Sequence, residues 1–139
     1  MADPYHLQRF VEAQRPVFEQ VCVELRAGRK RGHWMWFIFP QIKGLGYSSL
    51  AQAFAISSLD EARAYLRHPV LSSRLRECTR LVTLVEGRSI REIFSDPDDL
   101  KFRSSMTLFA HATSDNQLFL DALAKFCGGE FDRLTLDRL

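Results

Sequence analysis

The chain has 139 residues, 46% of them hydrophobic and 26% charged, with a formal net charge of +2. Those proportions suit one folded domain spanning 1–139 and exclude wholesale disorder. So mild a charge does not argue for a nucleic-acid partner.

Asp3-Pro4 reads as a helix start, an N-cap acid followed by proline at the first helical position. Leu7, Phe10, Val11, Phe18, Val21 and Leu25 follow at helical spacing, with Pro16 expected to kink or split the helix. Gly28 is the expected C-terminal stop. The basic run Arg29-Lys30-Arg31 reads as a solvated helix end, with a phosphate-contacting patch as the alternative.

The dense aromatic run Trp34 to Phe39 reads as a short buried strand or an extended core segment, and periodicity does not decide between them. Pro40 ends the run and leads into a loop carrying Gly44 and Gly46. Leu50 to Ile56 is a short alanine-rich helix. Ser58-Leu59-Asp60-Glu61 is a capping box opening the next helix through Ala62, Tyr65 and Leu66. His68-Pro69 restarts the chain into an amphipathic helix through Leu71, Leu75, Cys78 and Val82, which Gly87 ends. A second capping box is expected at Ser89 to Glu92, and Asp96-Pro97 opens a helix carrying Leu100, Phe102, Met106 and Phe109. A third box, Ser114 to Gln117, precedes Leu118, Phe119, Leu123 and Phe126. Gly128-Gly129 stops that helix, and Leu134–Leu139 forms a short tail helix. The fold class expected is therefore mainly α, a bundle-like single domain with at most one short strand or extended aromatic segment.

Cys22, Cys78 and Cys127 are odd in number, widely spaced and without a CxxC motif, which fits reduced thiols in the cytoplasm. Cys22 and Cys78 lie in apolar helical patterns and are expected buried; Cys127, beside a glycine-ended helix terminus, is expected to be the most reactive. His6, His33, His68 and His111 are scattered, so no metal site is expected, and no cofactor motif is present. The polar start Met1-Ala2-Asp3-Pro4 does not read as a signal peptide, and none is expected. The longest apolar run, Trp34–Pro40, is far too short to span a membrane, so no membrane partner is expected.

Two stretches carry candidate ligand-binding groups. The Gln41–Ser49 loop supplies Gln41, Lys43, Gly44, Tyr47 and Ser48 ahead of a helix N-terminus, where free amides favour anions. Its plainer reading is a turn and a cap. On the Asp98–Thr107 helix, Lys101 and Ser105 share a face that is otherwise small and apolar, with Ser104 alongside. Its plainer reading is an Asp–Lys surface pair and small residues for close packing. Trp34 or Tyr47 is available to stack on a base. Asp99 and Glu61 are the carboxylates available for acid-base work, although a first-turn acid and a capping-box acid have ordinary duties too.

Three blocks, HWMWFIFPQIKGLGYSS from His33, LDEARAYLRHPVL from Leu59 and DDLKFRSSMTLFA from Asp98, closely resemble an uncharacterised bacterial family, the domain of unknown function numbered eighteen-ten. The resemblance covers nearly the whole chain and implies a mainly helical fold. Members are sometimes labelled calpastatin, but calpastatins look like disordered inhibitors and this chain is apolar enough to fold. A distant likeness to the NADAR superfamily rests on a glycine-bearing loop, Gln52-Ala53, an alanine-rich helix and a late helix with Met106. That superfamily has a Glu-His pair and a lysine where this chain has Ser48, Ser49 and Ala55, so its catalytic carboxylate does not carry over. The likeness implies a nucleotide or ADP-ribose-like ligand. The sequence thus points to one cleft between the Gln41–Ser49 loop and the Lys101–Ser105 helix, either binding such a ligand or hydrolysing its N-glycosidic bond. The alternative is a non-catalytic binding or protein-interaction module.

Overall fold

The computed structural model describes residues 2–139. Ten helices follow one another in these residues: α1 (Gln8–Gln14), α2 (Phe18–Arg26), α3 (Met35–Ile38), α4 (Ser49–Ala53), α5 (Leu59–Arg67), α6 (Pro69–Thr83), α7 (Ile90–Phe94), α8 (Asp98–Ala110), α9 (Gln117–Phe126) and α10 (Arg133–Leu136). The two longest, α6 and α8, are joined by α5 and α9, each of which packs on both. Helix α8 is buried on almost every face, from Phe102 through Ser104–Ala110, and is further covered by α7 and α10.

Aromatic side chains bind the layers. Phe39, Phe94 and Phe102 meet with ring centroids 5.1–5.8 Å apart, which joins α7 and α8 to the end of α3. Tyr65 stands edge-on to Phe10 at 5.2 Å and packs on Phe109 at 5.1 Å, linking α1, α5 and α8. Such contacts add to the area these rings remove from water. The Tyr65 hydroxyl accepts from Gln14 Nε2 at 3.1 Å, and burial pushes its pKa up.

The aromatic run is helical, contrary to the strand or extended segment expected. Ile38 N–H and Phe39 N–H donate to the carbonyls of Trp34 and Met35. A buried strand here would need a partner for each backbone group, and one helical turn supplies those partners internally. Among the described residues the β pairing is a single parallel bridge, Ile42 to Ile56. It pins the base of the glycine loop, with Lys43 N–H donating to Ile56 O at 2.8 Å and Ile56 N–H to Gln41 O at 2.9 Å.

Helix starts follow the sequence signals in part. Ser89 and Glu92 form the complete reciprocal box. Ser58 caps α5, but the Glu61 side chain reaches back to Ser57 instead of Ser58. The third box does not form: α9 begins at Gln117, and Asn116 Nδ2 instead donates to Ala110 O, closing the end of α8. Asp3 still caps α1 through Leu7 N–H and Gln8 N–H, although the helix begins only at Gln8. Pro16 lies in the break between α1 and α2, and Gly28, with φ of +74°, follows α2. Cys22 and Cys78 are buried, Cys127 is half-buried, and all three are free. No described helix is long and apolar enough to cross a membrane.

Candidate functional site

The crevice between the glycine loop and α8 does exist. Gln41, Gly46, Trp36 and Lys101 line it, but it holds only about 10 Å³, room for about one water. Lys101 Nζ lies 3.5 Å from Asp98 Oδ1 and 5.5 Å from the centroid of Trp36, so the protein itself partly satisfies its charge. Ser104 is engaged elsewhere, its single hydroxyl hydrogen shared between Leu100 O and Asp132 Oδ2. Ser105 is fully buried and its Oγ has no partner among the described residues; it is not among the residues lining the crevice. The single cleft expected to hold a nucleotide between this loop and α8 is therefore too narrow for one.

The remaining loop residues are dispersed. Ser48 is the N-cap of α4, accepting from Ala51 N–H. Tyr47 is 85% exposed. Gly44, with φ of +101°, lies under the Arg138 guanidinium, so the C-terminal tail covers it. Trp34 is buried, and its indole N–H donates to Glu24 Oε1 at 3.0 Å. It is a core anchor and not a free stacking face. Lys43 emerges on the far side of the Ile42–Ile56 closure, so it does not share a cleft with Lys101.

Lys43 lines a different depression of about 410 Å³, between the start of α1 and the α4–α5 link. Tyr5, His6, Arg9, Gln52 and Glu61 complete it. Arg9 organises its wall. Its guanidinium donates to the carbonyls of Tyr5, His6, Ala53 and Ala55 and to Glu61 Oε2 at 2.9 Å. Glu61 Oε1 accepts from both the amide and the hydroxyl of Ser57, at 2.8 and 2.7 Å. The Glu61 side chain is only 3% exposed. A carboxylate held by three donors is a fixed part of the wall, poorly placed to act as a mobile base. His6 adopts φ of +51°, a conformation that side-chain-bearing residues rarely take and that tends to cluster at functional positions. Lys43 is exposed and makes no ion pair among the described residues.

Asp99 belongs to neither cavity. Among the described residues its Oδ1 is buried without a partner, and its charge opposes ionisation of Cys127, whose thiol burial has already pushed up to about 11. The cleft carboxylate expected from Asp99 is thus absent.

Sequence reasoning missed Tyr5, His6 and Arg9. Arg9 reaches across 44–52 positions, and no local pattern announces such a partner. It also missed Glu24, 5% exposed. There a signal existed, because Glu24 lies three positions after Val21 on the stripe that α2 buries.

The comparisons agree on kinship and leave the activity open. A crystal structure of the conserved hypothetical protein Rv1873 from Mycobacterium tuberculosis, at 1.38 Å, superposes with a TM-score of 0.98. It is 63% identical, and the match covers 99% of this chain and 98% of that one. No curated protein matches. The likeness to the NADAR superfamily is not among the relationships these matches show. A family model described as "Protein of unknown function (DUF1810)" matches residues 4–139, and the chain belongs to that family.

Proposed function

We propose that the depression between α1 and the α4–α5 link binds a phosphate-bearing, nucleotide-like ligand, of which ADP-ribose is the type. The observation that carries this reading is convergence. Lys43, singled out in the glycine loop, and Glu61, singled out as a carboxylate, line the same depression. Its volume falls within the range of small-molecule sites. Lys43 supplies a charge for a phosphate, Tyr5 an aromatic face, and His6 and Gln52 polar groups for ribose or base edges.

The geometry favours capture without catalysis, because Glu61 is held by Arg9 and Ser57 and Asp99 is elsewhere. N-glycosidic hydrolysis is the second reading, supported by the presence of Glu61 in the wall. A fixed carboxylate there would steady an oxocarbenium-like centre. Release of free ribose 5-phosphate or base on incubation with nucleotides distinguishes it. We place the protein in the cytoplasm, which its three free thiols support.

Isothermal titration calorimetry with ADP-ribose tests the assignment. Lys43→Met keeps the stem and removes the charge; it is expected to weaken binding by about 1.5–3 kcal/mol, the worth of one charged hydrogen bond. Lys101→Met is expected to leave binding unchanged, because Lys101 lines only the narrow crevice.

A further inference from the structure

A second concentration of positive charge lies on the other side of α5. A groove of about 740 Å³ runs between the last turns of α5, the first turns of α6 and the turn joining α8 to α9. Arg63, Arg67 and Arg76 line it together with Ser72, His111 and Thr113. Asp115 is the one carboxylate in that lining. Its side chain is 89% exposed and its closest approach to Arg76 is 3.9 Å, so it neutralises little.

The three guanidinium groups are arranged for an anion. The Arg67 guanidinium makes no hydrogen bond or ion pair among the described residues, and the Arg63 side chain makes one exposed contact, to Asp60 at 3.0 Å. Arg63 and Arg67 stand four residues apart on one helix face, where like charges repel. Asp60 offsets that repulsion only in part, through an exposed contact on Arg63, and an anion in the groove would offset it further. Arg76 is held in place by donation to Asp115 O at 3.1 Å and by lying 5.2 Å from the Phe119 centroid. A guanidinium fixed in this way binds an anion with less ordering cost. His111 Nδ1 lies 2.8 Å from Thr107 O; a carbonyl only accepts, so Nδ1 carries the hydrogen and the Nε2 lone pair is left to accept from a ligand hydroxyl, the P–OH of a monoprotonated phosphate included.

We propose that this groove is a second binding site, for the phosphate group of a small phosphorylated molecule, independent of the α1–α5 depression. Three forked cations and the hydroxyls of Ser72 and Thr113 offer more donors than a carboxylate can accept, and they match the terminal oxygens of a phosphate. The probes are inorganic phosphate and glycerol 3-phosphate, titrated at constant ionic strength and followed by NMR of the Arg side-chain N–H groups and the His111 ring.

Saturable shifts of the groove's own Arg and His111 signals are expected with at least one probe. Tighter binding of glycerol 3-phosphate assigns the site to phosphomonoesters, and equal binding assigns it to the phosphate group alone; both support the proposal. The Arg67→Gln/Arg76→Gln double variant is expected to raise the dissociation constant at least about tenfold, whereas Lys43→Met leaves it unchanged. Non-saturable shifts, shifts reproduced by chloride, or a dissociation constant indifferent to the double variant would overturn it. The wild-type shift map decides the matter even if the double variant fails to fold. Loss of ADP-ribose binding in Lys43→Met with phosphate binding intact separates this site from the proposed one.

Discussion

Glu24 sits on the stripe of α2 that faces the core, where an unpaired carboxylate would be costly. Four donors surround it: Arg31 N–H at 2.7 Å, Gly32 N–H at 2.9 Å, and Trp34 Nε1 and Gln20 Nε2 at 3.0 Å each. Burial works against its charge, but the hydrogen bonds from Gly32, Arg31, Gln20 and Trp34 outweigh it and hold the pKa at about 2. The folded pKa is depressed from the ordinary 4.5. Its stabilisation is therefore complete above pH 4.5 and is lost as pH falls toward 2. Glu24→Gln is expected to cost about 2–3 kcal/mol at pH 7 by chemical denaturation. The gap between variant and wild type should close between pH 4.5 and 2; a gap independent of pH would refute this role. The same contact explains why Trp34 misled the sequence reading. An indole beside a glycine loop suggests a stacking face, and only the fold shows its N–H committed to a carboxylate ten positions upstream.

Elements whose start signals are local were legible. Ser58 and Ser89 cap α5 and α7, and Ser58→Ala or Ser89→Ala is expected to cost about 1 kcal/mol in thermal or denaturant unfolding. Ser114→Ala is expected to change stability negligibly, because α9 starts at Gln117 without using Ser114; a loss equal to that at Ser58 would show that the third box forms after all. The aromatic run was not legible, because four helical residues carry too little periodicity to separate a turn from a strand. Its helical state is decided by the absence of a partner strand, which is a tertiary fact. In the glycine loop, Gly44→Ala is expected to destabilise by about 1 kcal/mol or more, since φ of +101° disfavours a Cβ and the new atom would strike Arg138.

At the scale of the whole molecule, the helical class followed from repeated amphipathic segments, each of which has to bury its stripe against another. The candidate site was legible only in pieces. Lys43 and Glu61 stood out in the sequence, but the wall that joins them is Arg9, which bridges the start of α1 to Ala53, Ala55 and Glu61. Pairings at such separations leave no trace in local pattern. The expected pairing of Lys43 with Lys101 failed for a related reason: beside the Ile42–Ile56 closure, Lys43 lines one cavity while Gln41 and Gly46 line the other with Lys101. Calorimetric titration of ADP-ribose into wild type, Lys43→Met and Lys101→Met shows whether the α1–α5 depression is the ligand site. Wild type and Lys101→Met are expected to bind saturably and Lys43→Met to lose about tenfold or more in affinity; no binding to wild type, or equal binding to all three, would rule the depression out as the site.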